Sequence, residues 1–216
     1  MPNGRKVIFK IAIALALGAS AAVAEPPPLI DARVWTVVLN GERYEIPGNF
    51  LPSGETKSGD ITRVISLRAL LPDIVGFTEE TLECGSAVSK CSERAVTIGV
   101  ENSPGVPGSQ MLQNIQGLIN PQKFTGPCGL EFYETTGNES QQFRYFFKTM
   151  SGERDLSILR CPKEESTYAP ICVSANNPLD KISFYYNFNR KFVCDWEDIR
   201  NKVRSRIVSF RHEIAK

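Results

Sequence analysis

The 216-residue sequence predicts an α+β fold in which antiparallel sheets carry a C-terminal amphipathic helix on one face and disulfides staple the structure. Residues 182–188 alternate apolar and polar side chains, as a strand with one buried face does. From Trp196 onwards, apolar residues recur at helical spacing. The connections between the predicted strands are short and polar, which favours antiparallel pairing over parallel crossovers.

Residues 1–24 are typical of a secretory signal peptide. Arg5, Lys6 and Lys10 form a basic start, and the uncharged run 11–24 ends in Ala22-Val23-Ala24, a small-x-small cleavage site. This run is shorter than the ~20 residues that a helix needs to cross a bilayer. We therefore expect a periplasmic protein that is not stably inserted in the membrane once the leader is cleaved.

Removal of the leader changes the charge of the chain. Residues 25–216 contain 22 Lys and Arg against 24 Asp and Glu, a formal charge of −2, because all three leader charges are basic. Broad nucleic-acid binding needs an excess of basic residues to displace counterions. No nucleic-acid partner is expected.

The six cysteines all follow the leader, and an even number of cysteines in an exported chain predicts disulfides. Six cysteines allow 15 pairings. We expect Cys84 to pair with Cys91 and Cys161 with Cys172, because each pair brackets a short polar segment, which leaves Cys128 for Cys194. A zinc site is disfavoured because the chain has no CxxC pair and His212 is its single histidine.

The first half predicts a hairpin, two further strands and one helix. Val34–Leu39 and 42–46 flank Asn40-Gly41, a typical hairpin turn. The hairpin is followed by a surface loop at 49–60 and a strand at 63–69 that Pro72 ends. Next come a long connection at 73–90, with a helical turn at 78–82, and a strand at 94–100. Ser109 caps a helix whose apolar residues are Met111, Leu112, Ile115, Leu118 and Ile119, with Pro121 beyond its end.

The second half predicts strands at 129–134, 142–148, 156–160, 171–173 and 182–188, followed by the C-terminal helix. The apolar side of this helix comprises Trp196, Ile199, Val203, Ile207, Phe210 and Ile214, and its basic residues Arg200, Lys202, Arg204, Arg206 and Arg211 are predicted to be solvated. The strand aromatics, including Phe143, Tyr145 and Phe147, are assigned to core packing. We expect one α+β domain over 25–216; two packed subdomains divided near 120–128 are the alternative.

No motif identifies a catalytic reaction, a cofactor or a metal site, so we expect a protein that is not an enzyme. Asp73, Glu79, Glu80 and Glu83 cluster without an intervening Lys or Arg in the connection 73–90. Long connections often carry binding residues. The acids indicate a solvated loop, a partner surface or a calcium site, and calcium is disfavoured because a DxDxDG-like pattern is absent. The candidate partner-binding surface lies on the two loops 49–60 and 73–90 and is formed by these four acids with Phe50 and Phe77.

Three stretches of the sequence resemble small exported bacterial proteins found beside secreted toxins. They are ISFYYNFNRKFVCDWEDIRNKVRSRIVSF (182–210), NGERYEIPGNFL (40–51) and LRALLPDIVGFTEET (67–81). This resemblance implies a periplasmic immunity protein that blocks a toxin delivered by a neighbouring cell, for example through type VI secretion.

The leading hypothesis is therefore a disulfide-stapled periplasmic protein that binds and inhibits a protein partner, plausibly a secreted toxin. Two alternatives are a carboxylate-dependent cell-envelope hydrolase and a non-catalytic structural component of the envelope.

Cleavage after Ala24 is the first testable consequence. Mass spectrometry of protein from the native cell should give a chain that begins at Glu25, with all six cysteines oxidised. An intact leader or free thiols in that material would contradict export.

Overall fold

The computed structural model describes residues 30, 33–51, 61–85, 89–136, 143–166 and 168–212. The predicted signal peptide, most of the loop 49–60 and Ile214 lie outside these residues. In chain order, the described part of the chain forms β1 (Val34–Leu39), β2 (Glu42–Pro47), β3 (Ile61–Thr62), β4 (Val64–Leu70), β5 (Ala95–Glu101), α1 (Gly108–Ile115), β6 (Ile119–Thr125), β7 (Glu131–Thr135), β8 (Phe143–Thr149), β9 (Leu156–Pro162), β10 (Ile171–Leu179), β11 (Ile182–Asn189), α2 (Trp196–Phe210) and β12 (Arg211–His212).

Two sheets hold most of these residues. The large sheet has the strand order β4-β5-β11-β10-β9-β8-β7-β6, and every pair in it is antiparallel. The small sheet has the order β12-β2-β1-β3, in which β1 and β3 run parallel. The predicted antiparallel arrangement of the second half is confirmed, since β6 to β11 lie side by side in chain order.

The predicted hairpin at the front of the chain is confirmed. Val34 pairs with Pro47 and Leu39 with Glu42, so Asn40 and Gly41 alone make the turn. Both turn residues have positive φ, 52° and 77°, as a two-residue turn matched to strand twist requires.

The helix predicted after Ser109 is shorter than its apolar pattern indicates. α1 ends at Ile115, a 3₁₀ turn continues to Leu118, and Ile119 begins β6 instead of extending the helix. The inclusion of Leu118 and Ile119 in the helix was therefore wrong, and Pro121 lies beyond the helix end, inside β6. A proline restricts the preceding residue to extended conformations, and β6 is an edge strand, where a missing N–H is tolerated.

The predicted C-terminal helix is present as α2. Its residues at the predicted apolar spacing are buried, namely Trp196, Ile199, Val203, Ile207 and Phe210. They belong to one core cluster with residues of both sheets, such as Ile46 and Phe188. The Phe210 ring meets Phe50 edge to face with 5.1 Å between centroids.

The structure has the expected disulfides, Cys84–Cys91, Cys128–Cys194 and Cys161–Cys172. Cys161–Cys172 joins the neighbouring strands β9 and β10. Cys128–Cys194 connects the turn before β7 to the 3₁₀ turn before α2 across a sequence separation of 66. The longest cross-link therefore ties the start of α2 to the far half of the large sheet.

Trp196→Ala tests the contribution of α2 to the core. Trp196 is 1% exposed and belongs to the main core cluster, so its contribution comes mainly from packing. We expect a loss of about 3–5 kcal/mol in the free energy of unfolding, measured by urea denaturation. Val208→Ala is the matched control on the same helix, since Val208 is 47% exposed. Equal losses for the two variants would contradict the assignment.

Candidate functional site

The four acids of the predicted partner-binding surface are exposed. Glu79, Glu80 and Glu83 lie on a 3₁₀ helix, Glu79–Gly85, and Asp73 lies in the turn after β4. The Asp73 carboxylate is 3.3 Å from the ammonium of Lys202 on α2. Their part in binding stays a prediction.

Phe50 and Phe77, predicted with these acids, are buried at 5% and 7% exposure. Phe50 packs against Phe210 and beneath the guanidinium of Arg206. Phe77 lies beneath Arg68 in a small second core cluster. Their side chains therefore contribute to the core and offer a partner almost no surface. Large apolar residues in an otherwise polar loop are themselves a signal for such a buried role.

The carboxylates Glu131 and Glu134 of β7 lie on opposite sides of the sheet, as their odd spacing predicts. Glu131 pairs with Lys123 at 2.8 Å. Partial burial acts to raise the pKa of Glu134, but hydrogen bonds from Lys163 and Arg144 outweigh it and the pKa is lowered. A general acid needs a raised pKa, so Glu134 is tuned in the opposite direction.

Arg200 of α2, predicted to be solvated, is 1% exposed. Its Nε donates to Oδ1 of Asn177 on β10 at 3.0 Å. Its Nη1 lies 2.6 Å from Glu153 Oε1, close enough for an ion pair although the angles are not those of a hydrogen bond. The guanidinium also lies over the Phe184 ring of β11. One buried cation thus contacts α2, two strands and the turn between β8 and β9.

Further buried polar groups lie on the elements that Arg200 contacts. The buried Tyr186 hydroxyl lies near Ser174 and Trp196, and burial raises the pKa of this tyrosine. A cleft of about 250 Å³ opens beside Glu153, with Met111, Asp155, Asn177 and Arg204 among its lining residues. The Asp155 carboxylate in this cleft already accepts hydrogen bonds from the backbone N–H groups of Ser109 and Leu156, at 2.9 and 2.8 Å.

One ladder of paired residues crosses the whole large sheet, and we call it the outer row. Each strand contributes one residue, and each residue faces the next in register: Lys123 (β6), Tyr133 (β7), Tyr145 (β8), Arg160 (β9), Val173 (β10), Asn187 (β11), Thr97 (β5) and Arg68 (β4). None of the eight is buried. Adjacent residues Phe132, Phe146 and Leu159 are buried in the main core cluster, so the outer row lies on the opposite side of the sheet. The small second core cluster lies at the Arg68 end of the row.

Aromatic rings surround the middle of the outer row. The Arg160 guanidinium lies 4.8 Å from the centroid of Phe143, which stacks on Tyr168 at 5.3 Å. Tyr133 and Phe147 meet edge to face at 5.4 Å. The sequence interpretation assigned the strand aromatics to the core, but Phe143, Tyr145 and Phe147 are only partly buried. Phe143, Tyr145 and Phe147 are two residues apart and so share one side of β8, whereas Phe146 lies on the other, buried side. This spacing was the signal that distinguishes the partly exposed aromatic residues from the core residue.

In the described part of the chain, no group of three or more His, Cys, Asp or Glu side chains could hold a metal ion. Neither described α-helix has the length and apolar character needed to cross a membrane.

The chain resembles two solved structures over most of its length. Smlt3025, an immunity protein of the Stenotrophomonas maltophilia type IV secretion system, matches 85% of this chain and 95% of its own, with 16% identity and a TM-score of 0.62. The iron-regulated outer membrane lipoprotein FrpD of Neisseria meningitidis matches 83% of this chain and 93% of its own, with 12% identity and a TM-score of 0.53. No family model and no curated protein matches the sequence.

At these identities the likeness shows a shared fold. It agrees with the resemblance to immunity proteins at the level of the fold, and the secretion system named for this neighbour is type IV, whereas the sequence resemblance suggested type VI.

Glu153→Gln tests the buried ion pair. The change leaves Arg200 without its countercharge, and we expect a loss of about 3 kcal/mol in the free energy of unfolding. Glu131→Gln, which breaks the exposed pair with Lys123, should have a much smaller effect because solvent screens that pair. The double variant Glu153→Gln/Arg200→Met should be more stable than Glu153→Gln alone, because no unpaired charge remains. If Glu153→Gln cost no more than Glu131→Gln, the ion pair would not be holding α2.

Proposed function

We propose that this protein is exported to the periplasm and there binds and inhibits a toxin as an immunity protein. The observation that carries the proposal is the fold likeness to the type IV secretion immunity protein, which extends over nearly the whole of both chains. The three disulfides agree with an oxidising compartment, and the predicted leader supplies the route to it.

The proposed activity is binding and not catalysis. The strand carboxylates that could suggest a hydrolase, Glu131 and Glu134, face opposite sides and are each paired with basic side chains. The toxin would reach the periplasm from a neighbouring cell through a secretion system. Type IV is the first to test because it is named for the structural neighbour, and type VI is the second.

Co-expression with the toxin tests the proposal. A tagged form of residues 25–216 serves as bait for secreted proteins of the producing strain, and the captured candidate is then made recombinantly and directed to the periplasm of a test strain. We expect the full chain to restore growth and to form a complex of fixed stoichiometry on size exclusion. The leaderless chain is the matched control and should not protect, since it stays in the cytoplasm.

The immunity function would be contradicted if the test strain failed to grow with the full chain present, for every toxin candidate that enters the periplasm. Equal protection by the leaderless chain would contradict the periplasmic site of action.

The likeness to an outer membrane lipoprotein favours a second candidate function, that of an envelope component. Fractionation distinguishes the two. A structural component should stay with membrane fractions at all times, whereas the proposed immunity protein should be released with the periplasmic contents.

A further inference from the structure

We infer that the outer row is the surface that binds the toxin, with Arg160 at its centre, and that it fits a protein surface rich in carboxylates. The inference rests on the proposed function and adds the location and the chemistry of the contact.

The charge of the outer row is of one sign. It contains Lys123, Arg160 and Arg68, and no carboxylate. Lys123 has a partner in Glu131, and Arg68 donates to the carbonyl of Gly85. Arg160 is exposed and has an aromatic contact but no ion pair among the described residues. A guanidinium held over a ring is partly pre-organised, and its fork of N–H donors matches a carboxylate.

The neighbours of Arg160 match the composition of protein interfaces. Tyr145 lies directly opposite it on β8, and Phe143 and Tyr168 stack beside it. Tyrosine and arginine dominate the residues whose truncation costs most binding energy. An acidic partner is favoured by charge complementarity, which also speeds association.

The size of this side of the sheet fits one protein partner. Eight strands at ~4.8 Å spacing span about 34 Å, and seven residues of strand span about 23 Å. The whole side measures roughly 700 to 800 Å², close to what each partner buries in a standard complex. Part of it is covered, since Ile158 is buried where α1 contacts β9 and Phe77 packs against Arg68. Arg160 is exposed between these two covered parts.

A protein is favoured over a nucleic acid by the charge around the outer row. Residues 25–216 carry a formal charge of −2, and Glu131 stands beside Lys123 at one end of the row. At the other end, Arg68 borders the acidic 3₁₀ helix Glu79–Gly85 through its bond to Gly85. A continuous phosphate backbone along the row would meet these carboxylates, whereas a carboxylate patch centred on Arg160 would not.

Affinity measurements with the purified toxin identified by the co-expression experiment test the inference. Arg160→Glu should weaken binding about 30-fold or more by calorimetry, and Tyr145→Ala should weaken it about tenfold. Arg154→Glu is the matched control, with the same change of charge at an exposed position outside the outer row, and should stay within about threefold. Affinity of the unchanged chain should fall as NaCl rises from about 0.05 to 0.5 M. Thermal unfolding checks that each variant is folded.

Three results would overturn the inference in distinguishable ways. Equal effects of Arg160→Glu and Arg154→Glu would remove the outer row as the site and leave the immunity function intact. If the variant Glu79→Lys/Glu80→Lys lost affinity for the toxin while Arg160→Glu kept the affinity of the unchanged chain, the binding site would lie on the acidic 3₁₀ helix instead. If the unchanged chain binds no toxin at all, the proposed function fails and the inference fails with it.

Discussion

The buried guanidinium of Arg200 is the constraint on which the arrangement of the C-terminal half depends. It connects α2 to Asn177 of β10, to Glu153 in the turn before β9 and to the Phe184 ring of β11. Burying an arginine is costly unless its charge is matched, so a placement of α2 that separated Arg200 from these groups would be penalised.

The strands of the large sheet divide their residues between two uses because side chains alternate across a strand. Buried residues such as Phe132, Phe146 and Leu159 belong to the core cluster that α2 and the small sheet share. The residues between them form the outer row, where Tyr133, Tyr145 and Arg160 are left partly or fully exposed. A partly exposed group of aromatic rings around an arginine is typical of surfaces that bind another protein.

Sequence reasoning predicted most elements of this fold. The hairpin was predictable from Asn40-Gly41, two of the disulfides from the short polar segments between the paired cysteines, and the third disulfide by elimination. β6 was missed because the apolar spacing of Leu118 and Ile119 continues a helical pattern, and only the strand pairing with β7 overrides it. Helical spacing also placed Arg200 with the solvated basic residues. The sequence does not show that the fold brings Asn177 and Glu153, which lie on other elements, into contact with Arg200.

The candidate site was less predictable than the fold. Exposed acids were recognisable by their cluster at 73–83, but Phe50 and Phe77 beside them are core residues. The outer row joins residues from eight strands that are up to 119 positions apart, from Arg68 to Asn187, and only the register of the sheet aligns them. Arg160 therefore has no local sequence pattern that marks it.

Site-specific photo-cross-linking gives the most direct test of where the partner binds. Benzoylphenylalanine in place of Tyr145 would lie in the outer row, and in place of Val208 it would lie on the exposed side of α2. The account predicts a cross-link to the toxin from position 145 and none from position 208. A cross-link from 208 with none from 145 would contradict it.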